Sequence, residues 1–139
     1  RPPRSTLFPY TTLFRFGNGD LIEKKETKEL NQVNISAENM ALLKQGFYQV
    51  VNGGSGFTTG RTIAQGATVS ISAKTGTAET YVNGGTSAIN TNVVSYAPSD
   101  SPKIAVAVVF PHNTDLSSTV SHSITRDIIN LYNQQHPMN

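Results

Sequence analysis

Lys74, Thr75, Gly76 and Thr77 stand in succession within ISAKTGTAETY, positions 71–81. One ammonium beside two hydroxyls suits an anionic ligand, because the cation attracts a carboxylate and the hydroxyls donate hydrogen bonds to its oxygens. The glycine does not fit a packing role, since a residue without a side chain weakens a strand unless a ligand or another backbone comes close. Upstream, Val69, Ile71 and Ala73 alternate with Ser70, Ser72 and Lys74, the period of a strand with one buried face. Alternation then sends Thr75 and Thr77 to one face and Lys74 to the other. For all three to meet one ligand, the lysine must curl round the edge or the strand must twist locally. The triplet arises by chance in roughly a few per cent of chains this rich in Thr and Gly. Taken alone, a lysine that guards an edge strand against aggregation is the commoner account.

Other residue types offer no competing centre. His112, His122 and His136 lie ten or more positions apart with no HExxH or comparable spacing, so neither a metal nor a cofactor is expected. Cysteine is absent, which excludes disulfides and thiolate chemistry and is compatible with an extracytoplasmic protein. The formal charge of +2 depends on Arg1, Arg4 and Arg15; without the first fifteen residues, eight basic face nine acidic residues, a net of −1. No basic stripe remains to hold a phosphate backbone, so no nucleic-acid partner is expected.

A chain of 139 residues has room for one ordinary core, and 37% hydrophobic against 14% charged residues, with 11 glycines, indicates a turn-rich globular class. No apolar run reaches membrane-spanning length, and neither a start methionine nor a signal-peptide pattern is present. The opening RPPRSTLFPYTTLFR has three prolines and no period, and resembles translated adapter-like sequence found at the ends of fragmentary environmental gene products. Residues 1–15 are therefore expected to be unstructured and non-native, with the fold occupying 16–139.

GNGD at 17–20 signals a turn, and LIEKKETKEL after it could be strand or loop. Met40, Leu43, Phe47 and Val50 recur at helical spacing after Ser36, which predicts an N-capped helix with Glu38 in its first turn, stopped by Asn52-Gly53-Gly54. NTNVVSYAP predicts a short strand ending at Pro98, joined to the Lys74 strand by a hairpin through VNGGTSAIN. KIAVAVVF, 103–110, reads as a strand covered on both faces, followed by a turn at PHNTD. Val120, Ile124, Ile128 and Leu131 predict a final helix capped by Ser118 or Thr119, with Arg126 and Asp127 on its solvated side. Phe47, Tyr48 and Tyr132 are expected in or beside the core. Three antiparallel strands with helices against them make an α+β arrangement.

These residues resemble the third motif of the penicillin-binding proteins and serine β-lactamases, whose set is Ser-x-x-Lys, Ser-x-Asn and Lys-Thr-Gly, a trio already familiar as a catalytic signature. The likeness extends through TVSISAKTGTAETYV, NTNVVSYAP, PKIAVAVVFPHNTDL and RDIINLYNQQHPMN. Together they resemble the C-terminal portion of a class B, monofunctional penicillin-binding protein, most like the 2b type of Gram-positive cocci. The resemblance implies part of the penicillin-binding protein/serine β-lactamase-like transpeptidase fold. It implies a DD-transpeptidase that cross-links peptidoglycan, is acylated by β-lactams, works at the extracytoplasmic face of the membrane and serves the division or elongation machinery. It assigns Lys74 and Thr77 catalytic roles, Lys74 by positive potential and Thr77 through a backbone N–H in the oxyanion hole. Thr75, Gly76 and Thr77 would bind substrate, the two hydroxyls holding its terminal carboxylate. A β-lactamase fits AVAVVFPHNTDL less well, and a non-catalytic module that holds a carboxylate-ended peptide is the alternative from another class. No serine has a lysine three positions later or an asparagine two positions later. A fragment lacking nucleophile, second motif and N-terminal membrane anchor is expected to be inactive by itself.

Overall fold

The computed structural model describes residues 12–15, 21–25, 32–54 and 58–138. The chain forms two units, Arg1–Ile35 and Ser36–Asn139. In the first, β1 (Thr12–Arg15) pairs antiparallel with β2 (Leu21–Lys25), Thr12 opposite Lys25 and Phe14 opposite Glu23. The segment expected to be unstructured over 1–15 is thus a strand in its last four residues. Ladder bonds come from backbone groups and need no side-chain period, so pattern alone does not reveal them. The 17–20 turn and residues 1–11 lie outside the described residues.

The second unit opens with α1 (Ala37–Asn52), where the Ser36 hydroxyl accepts from the Asn39 N–H at 3.2 Å and Glu38 occupies the first turn. It stops at Gly53, whose backbone is extended and whose N–H returns to the Gln49 carbonyl at 2.9 Å. A Cβ there would sit 2.6 Å from that carbonyl oxygen, so close approach rather than left-handed backbone demands the glycine. The Asn52 amide donates to the Ile71 carbonyl at 2.9 Å, which ties the end of the helix to the start of a strand. Val51 is buried, Val50 packs beside it and Phe47 is half-buried against Tyr96, whereas Met40 and Leu43 of the expected apolar face are exposed, as is Tyr48, expected in or beside the core.

After the short α2 (Arg61–Ala64) come β3 (Ser72–Val82), β4 (Thr86–Ala97) and β5 (Ile104–Asn113), an antiparallel sheet in the order β3-β4-β5. The β3–β4 hairpin is longer than expected: Val82 pairs with Thr86, leaving Asn83, Gly84 and Gly85 as a loop in which all three have positive φ. Asn and Gly tolerate that backbone, so both strands run to the turn. β5 also outlasts its expected end at Phe110. A register irregularity between Ile89 and Thr91 frees the Asn90 amide to accept from the His112 N–H at 2.9 Å, which carries pairing on to Asn113. Nor is β5 covered on both faces, because Ala105, Ala107 and Val109 are exposed. Its uniform apolarity conceals an alternation of environment.

The last helix, α3 (Val120–Gln135), lies against β4 and β5. Its buried residues are Ser121, Thr125 and Ile129, while Ile128 and Leu131, expected inside, are exposed. The apolar series predicted the wrong stripe because two hydroxyl residues occupy the buried one. Thr125 satisfies its hydroxyl by donating to the Ser121 carbonyl at 2.7 Å. The Thr119 N-cap makes no side-chain bond, and the Ser118 hydroxyl instead accepts from the Val120 N–H. Arg126 is only partly solvated, pairing with Asp127 and donating to the Gln65 carbonyl at 3.1 Å.

The core joins Val51, Ile63, Ile71, Ala73, Val93, Ala97, Ile129 and Met138. Ile71, Ala73, Val93 and Ala97 occupy one sheet face by register, the face that Thr75 and Thr77 share. Burial of each large aliphatic residue contributes about 1.5–3 kcal/mol, so this layer fixes the strand that carries the lysine motif.

Candidate functional site

β3 is an outer strand, with no described strand beyond it. Its pairing with β4 runs unbroken from Ser72 to Val82, placing Lys74 opposite Val94, Thr75 opposite Val93, Gly76 opposite Asn92 and Thr77 opposite Thr91. No bulge redirects the motif, and the lysine does what alternation required: its Nζ turns back to donate to the Thr75 carbonyl at 2.6 Å. Lys74, Gly76 and Thr77 are exposed and Thr75 is half-buried. All four line a cavity of about 420 Å³.

Thr91 forms part of the cavity's inner wall, and residues 116–119 together with Ser121 and His122 close it from the side of α3. Lys74 is the one cation among the described lining residues, and none of them is acidic. A net positive, hydroxyl-rich recess favours an anion. The Thr59 and Thr75 hydroxyls share a hydrogen bond of 2.8 Å, which ties the loop before α2 to the motif. Thr91 and Ser121 bury hydroxyls that find no partner among the described residues. A Cβ on Gly76 would meet only the Asn92 Cβ, at 3.9 Å, so nothing within the described chain forbids a side chain there.

Sequence reasoning missed Thr59, Thr91, Ser121 and His122. Each is brought in by tertiary packing from a segment with no motif of its own. His122 hydrogen-bonds through Nδ1 to the Thr62 hydroxyl at 2.6 Å, and burial holds its pKa below the ordinary value of 6.5. The folded chain therefore binds this proton less readily than the unfolded chain, and its contribution to stability is complete above about pH 6.5 and lost as pH falls below it. Urea midpoints at about pH 8 and about pH 5.5 should differ more for the natural chain than for His122→Asn, and an equal difference would remove His122 from the account. The described residues contain no cluster of three or more His, Asp or Glu that could hold a metal.

Ser70 and Ser72, the serines nearest Lys74 in sequence, both hydrogen-bond to Ser99. Ser72 is buried with its hydroxyl donating to Ser99 at 2.9 Å, and the Ser70 hydroxyl accepts from the Ser99 N–H at 3.1 Å.

The family described as Transpeptidase, penicillin binding protein transpeptidase domain, matches residues 10–130, which is most of the chain. The chain belongs to this family. Penicillin-binding protein 2B of Streptococcus pneumoniae is 63% identical over 123 residues, covering 88% of this chain and 18% of that protein. Penicillin-binding protein 2A of Bacillus subtilis is 33% identical over 120 residues, covering 81% of this chain and 16% of the relative. A solved structure of the Streptococcus pneumoniae protein superposes with a TM-score of 0.79 at 59% identity, over 91% of this chain and 21% of that one. The chain spans about a fifth of the length of the relatives it matches, and resembles the 2B type. Its fold is the penicillin-binding transpeptidase fold, of which it holds the three antiparallel strands and flanking helices.

Proposed function

We propose that this chain forms the carboxylate-gripping wall of a peptidoglycan DD-transpeptidase active site. The observation that carries the proposal is the recess at β3, where one ammonium and several hydroxyls meet without an opposing carboxylate. Lys74 supplies positive potential beside a serine-lysine pair contributed by other sequence. The hydroxyls of Thr75 and Thr77 take the terminal carboxylate of a stem peptide or a β-lactam. The Thr77 backbone N–H serves as one of two oxyanion donors, a contribution of about 3 kcal/mol to barrier lowering. Gly76 leaves the strand edge bare so that substrate can lie along it as an added strand. No cofactor is required. The complete protein would act outside the cytoplasm, held at the membrane by an anchor that the family likeness implies; no described helix is itself long and apolar enough to cross one.

The bond-making serine is not in these 139 residues, which contain neither Ser-x-x-Lys nor Ser-x-Asn. Incubation with a fluorescent penicillin followed by denaturing electrophoresis should leave the chain unlabelled, and a fluorescent 15.0 kDa band would refute this account. The same anion-suited recess also fits a second account, a module that holds a carboxylate-ended peptide without chemistry. The upstream reading frame separates the two: Ser-x-x-Lys followed by Ser-x-Asn establishes the enzyme, and their absence leaves the module.

A further inference from the structure

We infer that Thr59 is a positioning residue for the Thr75 hydroxyl: Thr59 donates its proton to Thr75, which keeps the Thr75 proton for the carboxylate of a bound peptide or β-lactam. The inference rests on the carboxylate-binding reading of Thr75 above and deepens it. A hydroxyl carries one proton and two lone pairs. If Thr75 spent its proton on Thr59, it would turn only lone pairs to a ligand, and these repel a carboxylate. With Thr59 as the donor, a bound anion polarises the run from Thr59 through Thr75 to the ligand oxygen, and each bond strengthens the next. A partner fixed before binding also spares the cost of orienting the Thr75 rotor at each encounter.

The placement of Thr59 is built into the fold. Thr75 follows the buried Ala73 on one row of β3, so its side chain stands where that row leaves the core. Thr59 meets it there at 2.8 Å across sixteen positions of chain, and lines the same recess. Thr59 itself is exposed, yet the backbone on either side of it is pinned. The Thr58 hydroxyl donates to the Gly53 carbonyl at 2.7 Å, and the Gly60 N–H donates to the Val50 carbonyl at 2.8 Å. Gly60 packs so closely that a Cβ would stand 3.1 Å from that carbonyl oxygen and 3.3 Å from the Ile63 Cδ1. Its own carbonyl accepts from the Ile63 N–H at 2.9 Å, which opens α2. Thr62 then reaches His122 on the opposite wall. Both hydroxyls of the Thr59–Thr75 pair, and every group that pins them, belong to this chain, so the bond needs no other sequence to form it.

The test uses the complete protein and its rate of acylation by a fluorescent penicillin. Thr59→Val, close in shape but without a hydroxyl, should slow acylation about five- to tenfold with the thermal transition unchanged. Thr59→Ser should restore the parent rate to within a factor of about two. In a Thr75→Val background, adding Thr59→Val should cost less than a factor of about two, because the group it acts through is gone. In a Thr77→Val background the same change should cost the full loss. Thr59→Val at the parent rate, or a loss that Thr59→Ser does not restore, would overturn the inference and leave the carboxylate role of Thr75 standing. So would a loss that tracks a lowered thermal transition, or equal losses in the two backgrounds, the mark of a general shift of β3. Acylation indifferent to Thr75→Val would overturn the carboxylate reading and the inference with it.

Discussion

Joined to its upstream sequence, the protein with Lys74→Ala should be acylated by a fluorescent penicillin about 10²- to 10³-fold more slowly than its parent, the loss seen when one preorganised electrostatic group is removed. The recess has no second described cation to take over, so under the proposed role a neutral residue would leave the developing negative charge to the oxyanion-hole donors without the added positive potential. Folding should be indifferent, since Lys74 is exposed and its one bond is to a backbone carbonyl at the surface. Thermal unfolding therefore serves as the control. An acylation rate within a factor of about two of the parent, with an unchanged transition, would remove Lys74 from the chemistry.

The largest effect on stability is expected at Ile63→Ala. Ile63 is 0% exposed and belongs to the cluster that joins β3 and β4 to α3, so truncation removes apolar burial and leaves a void, at a cost of about 2–5 kcal/mol. A marginally stable domain has little more than that in reserve. Leu131→Ala on the outer side of α3, where the side chain is 55% exposed, should change the urea midpoint by the equivalent of about 0.5 kcal/mol or less. Comparable losses at the two positions would mean that α3 is oriented differently from the description above.

Much of this architecture was legible in advance, for identifiable reasons. The Ser36 cap, the stop at Gly53 and the alternation into Lys74 are local, and local chemistry survives into the fold. What escaped depended on partners distant in sequence. The buried stripe of α3 is set by what faces it, so Ser121 and Thr125 lie inside although their side chains say otherwise, and Ile128 and Leu131 lie outside. β5 looks fully covered because all its side chains are apolar, yet one row faces outward. At the recess, the four motif residues stand together in the sequence and drew their proposed roles from the family likeness, whereas His122 and Thr91 carry no such signal. The bond between Thr62 and His122 spans sixty positions of chain that no periodicity links.

The sheet and the interior also mature at different times as the polypeptide emerges. β3, β4 and β5 are neighbours in space in the order in which they are made, so each hairpin can zip onto the last through short-range contacts. Ile63 and Ile71 must wait for Ile129, which follows all three strands in sequence, before water is excluded from around them. During synthesis the sheet can therefore exist as a half-built shelf, its oily underside open until the final helix swings in as a keystone.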